Sequence, residues 1–525
     1  MTHRKNIVAS ILLSIAAFLG IAALVYATRW GAWAFSDSAA YVSSARNLIA
    51  GQGLGFADPT GHFELLTHFP PFFPILLASG GLVGVDPLIV ARWLNIAAFA
   101  VIIFSTGWWI KRLTGSLLLA IGGQILFLFS IVPMTVFSGA MSEPVCITLG
   151  MLGLFILITF LEKQQARYLF ISAVLVSLSL LTRYIGVAYL LAALVCILFL
   201  AQTSWGQRIK QVFIYGITAS LPMIIWLVFT FTQTQTVGAR SLQTGLDLWE
   251  AVREYFTLAF SVFASWLPYG TRFNWILSPV GKLIAILIVM LLAGVFTGLK
   301  ARRSTPQPGH DELTLSLTFW IFTVVYIFAL LLSFVFSNPA PNIDDRMLSP
   351  VYVAIIPATM GLMGYLMKTW RFKWVWESVV FILLAVTIFF DYPAMIETLT
   401  NLNQTGDGYT TQEWHSSGIF AAIQKLPPST PLISNEPALV LLYTDRFPYD
   451  VNDLFPRYRS DPIPPLGSGH TDLDTLMRSK GAVLITFPEY FDLEHGNKSL
   501  QLQQQLTAGL KAIYSDNYGQ LYVVP

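Results

Sequence analysis

The chain has 525 residues, of which 55% are apolar and only 11% charged, with 38 Phe and 15 Trp. A soluble domain carries about 25% charged residues, so this composition excludes a soluble globular protein and points to a membrane one. The formal net charge of +2 leaves no basic excess for a nucleic-acid partner, which would need a clustered basic face.

The first apolar run, 7–28, follows His3-Arg4-Lys5 and lacks a small-residue cleavage site, so it reads as a retained span and not a signal peptide. Directly after it comes Phe35-Ser36-Asp37-Ser38-Ala39-Ala40-Tyr41, which sets Asp37 near the outer mouth of a membrane helix. A carboxylate at that depth is costly and usually has a function. Tyr41 through Leu48 keep apolar groups at helical spacing and are expected to lie along the interface as a helix. The same outer connection, 29–87, holds Asp58, Glu64 and Thr67-His68-Phe69-Pro70-Pro71-Phe72-Phe73-Pro74. Glycines from Gly51 to Gly61 mark sharp turns there, and the prolines after His68 cannot continue a regular helix.

Further apolar runs at 88–110, 117–133, 143–161, 168–182, 185–201, 211–231, 281–299, 315–336, 350–367 and 375–392 bring the expected spans to eleven, each near the roughly 20 residues a bilayer requires. The pair at 168–182 and 185–201 is short and reads either as two spans meeting at a tight outer turn or as one badly cut segment. Cys146 and Cys196 both lie in apolar runs and read as small buried hydrophobes. With the N-terminus inside, Arg4-Lys5, Lys111-Arg112, Lys163 with Arg167, Arg208 with Lys210, Lys300 with Arg302-Arg303, and Lys368 with Arg371 and Lys373 all fall on the cytoplasmic side. The second outer connection, 232–280, carries Trp249, Tyr255, Phe256, Trp266, Tyr269 and Trp275, which suits one or two interfacial helices. The third is 337–349.

These counts divide the chain into a transmembrane part, 1–392, and an extracytoplasmic tail, 393–525, in a cell inner (plasma) membrane. The tail is more polar. Leu432-Ile433-Ser434, 482–486 and 521–524 read as strands, with helices over Asp472 to Ser479 and Leu500 to Ala512. That alternation predicts a small α/β domain, with Tyr443, Arg446 and Tyr449 as its candidate contacts. The whole is expected to be mostly α, a polytopic membrane protein of about eleven helices plus this domain.

Several motifs in this order resemble one family. They are Ser36-Asp37-Ser38-Ala39-Ala40-Tyr41, His68-Phe69-Pro70-Pro71, Ser142-Glu143-Pro144, Leu181-Thr182-Arg183-Tyr184, Asp345-Arg346-Met347-Leu348 and, in the tail, Ser434-Asn435-Glu436-Pro437. Together they are similar to the polytopic glycosyltransferases of the GT-C fold, in the group of the protein O-mannosyltransferases and the aminoarabinose transferase of lipid A. The resemblance implies the GT-C fold. It also implies inverting transfer of a sugar from a polyprenyl-phosphate donor to a hydroxyl on a lipid, glycan or protein at the outer face. The first loop departs from the eukaryotic mannosyltransferases, which carry a paired Asp-Glu where Ser36 and Ser38 flank Asp37 here.

The chemistry supports the same assignment. A hydroxyl becomes a nucleophile when a carboxylate accepts its proton, and a phosphate leaves as a stable anion, so one base plus cations suffices. Asp37 reads as that base, or as a helix-start carboxylate. Glu143 is the second catalytic candidate, or an N-terminal helix carboxylate beside Pro144. Arg183 and Arg346 are candidate phosphate clamps, with Asp345 beside the second; each arginine could equally snorkel to headgroups. Tyr41, Glu64 and His68 complete the candidate substrate-binding set, with interfacial anchoring, a solvated face and a structural histidine as their plainer readings. No cofactor is implied. A divalent metal on Asp37 and Glu143 stays open, as does the oligomeric state. A transporter or lipid-handling protein is the rival class, but no internal repeat is visible and few charges lie deep in the spans. A catalytically inactive sugar- or lipid-binding scaffold is the third reading.

Overall fold

An apolar run in a bilayer must satisfy every backbone amide and carbonyl within itself, so it becomes a helix. The computed structural model follows that rule and describes residues 2–235, 241–242, 247–266, 310–454, 472–490, 503–504 and 506–525. Seven described helices are long and apolar enough to cross a membrane: Ile7–Ala27, Pro87–Thr114, Glu143–Lys163, Trp205–Thr234, His310–Phe336, Asp345–Thr369 and Lys373–Thr405. Leu117–Leu128 and Ile131–Ser138, bent by 60° where they meet, make an eighth if taken as one span. Ala166–Thr182 and Tyr184–Leu200 are shorter apolar helices that meet at Arg183. The expected span 281–299 lies outside the described residues, as do Tyr269 and Trp275. The protein is thus a mostly α-helical, polytopic membrane protein with seven or eight candidate spans among the described residues.

The chain forms two compact units. The first comprises Met1–Ala27, Thr67–Phe73 and Arg92–Asn401. Small residues let its helices approach closely, as membrane helices commonly require. A side chain added at Gly153 would stand 2.7 Å from Val176, and one at Gly361 would stand 2.9 Å from the Glu312 carbonyl. Tyr189 stacks on Phe322 at 4.2 Å, and Trp109 lies parallel to Phe155 at 5.6 Å. Of the expected interfacial segment, Leu248–Ser265 is an amphipathic helix with Trp249 exposed, while the buried Tyr255 hydroxyl donates to the Ile327 carbonyl (2.8 Å).

The second unit comprises Thr28–Leu66, Pro74–Ala91 and Leu402–Pro525. Its sheet has five strands in the order Tyr449–Asp450, Leu432–Ser434, Val483–Thr486, Gln520–Val523, Lys511–Ser515. The first three are parallel and the last two antiparallel additions. The three strands expected from sequence are present, as is the helix Asp472–Lys480. The helix expected over 500–512 is corrected at its end. Lys511–Ser515 is a strand paired with Gln520–Val523, because Gly509 at φ +77° breaks the helical path and Asp516 organises a hairpin turn. The helix expected from Tyr41 to Leu48 forms, and its apolar face has a protein partner. Ser36–Ile49 is a helix whose Tyr41, Val42 and Ala45 are buried, and it packs on the Pro437–Thr444 helix. Its apolar stripe meets protein instead of lipid, and Arg46 fastens it by donating to Asp86 (2.9 Å), to Asp445 (3.0 Å) and to the Leu442 carbonyl (2.7 Å).

Candidate functional site

Three helix ends meet in the first unit. Ser142-Glu143-Pro144 opens Glu143–Lys163, where Pro is favoured because its missing N–H costs nothing at the first turn. Arg183 terminates Ala166–Thr182 in extended backbone and precedes the tight turn Tyr184–Gly186. Asp344 caps Asp345–Thr369 by accepting the Met347 amide, which sets Arg346 in the first turn. The Glu143 carboxylate is 3% exposed and meets two guanidiniums: Arg183 Nη1 at 2.9 Å and Arg346 Nε at 3.3 Å. Arg183 also donates to Ser142 Oγ (3.0 Å) and approaches Met347 Sδ (3.5 Å). A buried carboxylate is stable when paired in this way, and the pairing orients both forks.

Beside this cluster lies a cavity of about 460 Å³. His68, Arg183, Ser333 and Ser337 are among its charged and polar lining residues, and Val187, Leu227 and Leu330 among its apolar ones. The Tyr184 hydroxyl, also on the cavity, donates to the Thr67 carbonyl (3.0 Å) and so ties down the segment carrying His68. His68 itself is exposed, edge-on to Phe69 at 4.5 Å. A fixed guanidinium beside an apolar wall is suited to a phosphate bearing a lipid tail.

The structure therefore brings together Glu143, Arg183 and Arg346, with His68 on the adjoining cavity. Asp345 does not join that ion-pair group; its carboxylate accepts from Trp266 Nε1 (2.7 Å). Asp37, Tyr41 and Glu64 belong to the second unit. Asp37 is partly exposed in the first turn of Ser36–Ile49, Tyr41 is fully buried, and Glu64 is exposed on the hairpin Gly55–Ala57/Phe63–Leu65. In that hairpin Asp58 is held below the usual carboxylate range by the Thr60 hydroxyl, with the His62 and Thr60 amides assisting. In the tail, Arg446 closes a loop by donating to the Thr430 (2.6 Å) and Pro427 (3.3 Å) carbonyls. Tyr443 stacks on Phe420 at 4.1 Å, and Tyr449 lies in a strand.

Both Glu143 oxygens face guanidiniums, an arrangement that does not fit a metal ligand, and among the described residues no three His, Cys, Asp or Glu come together as a metal-holding group. Tyr184, Ser142 and Met347 stand in the motifs quoted from the sequence, but none was assigned a site role there. The signal for Tyr184 was its place in the Leu181-Thr182-Arg183-Tyr184 motif, next to Arg183.

No protein-family model matches the sequence, and no curated protein matches it either. Solved structures do. The Archaeoglobus fulgidus oligosaccharyltransferase in its apo form is 11% identical, with a TM-score of 0.55 over 98% of this chain and 74% of that one. AglB from the same organism, in complex with an inhibitory peptide and a dolichol-phosphate, is 10% identical, with a TM-score of 0.52 over 99% and 74%. ArnT from Cupriavidus metallidurans bound to undecaprenyl phosphate is 14% identical, with a TM-score of 0.49 over 98% and 97%. At these identities the similarity speaks for the fold alone, and the two archaeal structures carry it: the chain shares the overall fold of those two oligosaccharyltransferase structures.

Proposed function

We propose that the protein transfers a sugar, with inversion, from a polyprenyl-phosphate donor to a hydroxyl acceptor on a glycolipid, glycan or protein at the outer face of the membrane. The observation that carries this reading is Arg183, fixed by Glu143 and Ser142 on a cavity with apolar walls. The fold supports it, and one of the similar structures, AglB, is in complex with a dolichol-phosphate.

In the proposed reaction the acceptor oxygen attacks the anomeric carbon and its proton passes to Asp37. The bond between the anomeric carbon and the phosphate oxygen breaks, its electron pair leaving with the lipid phosphate. Arg183 and Arg346 stabilise that developing charge. Glu143 serves as the group that aims both arginines. His68 adds a donor to the phosphate, and the tail, with the remaining candidates Tyr41, Glu64 and Asp345, shapes the acceptor side. In this reading the N-terminus is cytoplasmic, the short helices at Arg183 are spans, and residues 393–525 form the outer α/β domain.

The test is sugar transfer by purified protein from a radiolabelled panel of polyprenyl-phosphate sugars, with membrane lipid extract as the acceptor source. Wild type is expected to transfer from one donor. Asp37→Asn should lose most of the rate and keep donor binding, whereas Arg183→Ala should lose donor binding. Full transfer by Asp37→Asn would overturn the base assignment, and wild-type donor affinity in Arg183→Ala would overturn the clamp.

A further inference from the structure

At the carboxyl ends of the parallel strands in the second unit, the Ser434-Asn435-Glu436-Pro437 motif is used residue by residue. Asn435 Nδ2 donates to the Phe487 carbonyl (3.0 Å), and its Oδ1 accepts the Phe487 amide (2.9 Å). That clamp joins the chain leaving Leu432–Ser434 to the chain leaving Val483–Thr486. Ser434 Oγ accepts the Glu436 amide (3.0 Å), and Pro437 opens the next helix. Glu436 is thus held part-buried, where it accepts a hydrogen bond from the Tyr409 hydroxyl. The carboxyl edge of parallel strands is where open α/β sheets place functional groups.

Tyr409 reaches in the other direction too. It is 3% exposed. Its amide donates to the Ala34 carbonyl (2.8 Å), and the neighbouring Thr410 Oγ1 donates to the Ala32 carbonyl (3.0 Å). Its ring stands edge-on to Phe35 at 6.1 Å. Residues 32–35 run directly into the Ser36–Ile49 helix, whose first turn holds Asp37. Burial pushes the Tyr409 phenol far above its ordinary range, and the Glu436 and Asp37 carboxylates push it further, so the hydroxyl remains a donor. The Tyr443 hydroxyl braces the Tyr409 carbonyl from behind (2.8 Å).

We infer that Tyr409 and Glu436 are positioning residues that hold the Asp37 carboxylate in the pose from which it accepts the acceptor proton. The inference rests on the reading of Asp37 as base. It gives the tail a part in the chemistry: the sheet edge sets Glu436, Glu436 sets Tyr409, and Tyr409 sets the start of the helix that bears Asp37. Tyr409→Phe removes only the hydroxyl and keeps the ring.

The experiment combines a kinetic cycle with amide hydrogen exchange on the full-length protein. Tyr409→Phe and Glu436→Ala are expected to lower kcat about tenfold or more, since small misplacements of a reacting group carry penalties of that size. Donor affinity should stay at the wild-type value. Glu436→Gln, which still accepts the hydrogen bond, should recover much of the rate. In the Asp37→Asn background, Tyr409→Phe should cost nothing further, because residues acting through one group are non-additive. Amide exchange over residues 33–41 should quicken in Tyr409→Phe. Wild-type kcat in Tyr409→Phe, or a full further loss in the Asp37→Asn background, would overturn the inference. So would unchanged exchange over 33–41. Wild-type protein that transfers from no donor would instead sink the transfer reading, while the exchange result would still decide whether Tyr409 holds this segment.

Discussion

Glu143 is one carboxylate shared by two arginines that come from different helices. Its neutralisation would leave two guanidiniums facing each other with no counter-charge, and breaking a buried pair of this kind typically costs about 3–5 kcal/mol. Glu143→Gln is therefore expected to lower thermal stability markedly and to weaken donor binding, read as a fall in Tm and a rise in donor KM. A variant with wild-type Tm would show that the pair is not structurally important. Arg183→Lys keeps the charge and loses the fork, so it separates charge from geometry. The expected result is a donor KM raised about tenfold, in line with the loss of a charge-assisted hydrogen bond, with a smaller change in kcat. All three residues were legible in the sequence as charges at span ends. Their pairing was not, because either arginine could as well have snorkelled to headgroups and Glu143 could have served only its own helix start, and only the meeting of three helix ends decided otherwise. Arg46 shows the same limit: nothing local predicts that it reaches both Asp86 and Asp445.

Among the elements, Asp345–Thr369 packs on His310–Phe336 through Gly361 and Gly364, where an added side chain would run into Ser316, Thr114 or the backbone of Glu312. Gly361→Leu is expected to separate these helices and to yield protein that aggregates on extraction. Monodisperse protein of normal Tm would refute that packing. In the tail, burial alone would raise the Asp516 carboxylate. The amides of Tyr518 and Gly519 and the hydroxyls of Ser417 and Tyr514 outweigh it and hold the group below its ordinary value. A carboxylate depressed in the folded state lends stability above its unfolded pKa, near 4, and that stability fades as pH falls through the lower folded value. Wild-type protein should lose this part of its tail stability in strong acid, whereas Asp516→Asn should be weaker at neutral pH and lose less on acidification, measured as protease resistance of the tail against pH. Three of the five strands, Leu432–Ser434, Val483–Thr486 and Gln520–Val523, were legible as short β-branched and aliphatic runs, and the two-residue Tyr449–Asp450 strand was not. The 511–515 strand was not, since its helical spacing continued past Gly509 and only the hairpin partner reveals it.

For the whole molecule, the proposed orientation makes a direct prediction. Cys146 and Cys196 are both buried, so introduced cysteines stand out against a quiet background. Glu413→Cys is expected to react with an impermeant maleimide in intact cells, and Lys163→Cys only after permeabilisation. The reverse pattern would place the tail in the cytoplasm. By itself the sequence determined that the chain is a polytopic membrane protein, where most of its helices run, and which charged residues stand at helix ends. It could do so because a bilayer forces backbone hydrogen bonds inward and sorts side chains by polarity, and both constraints act locally along the chain. Only the tertiary structure decided that Glu143 binds two arginines beside a cavity, that the Ser36–Ile49 helix packs on protein, and that Tyr409 backs onto the approach to Asp37. Those facts depend on which distant helix ends and strand edges meet, and periodicity carries no information about that.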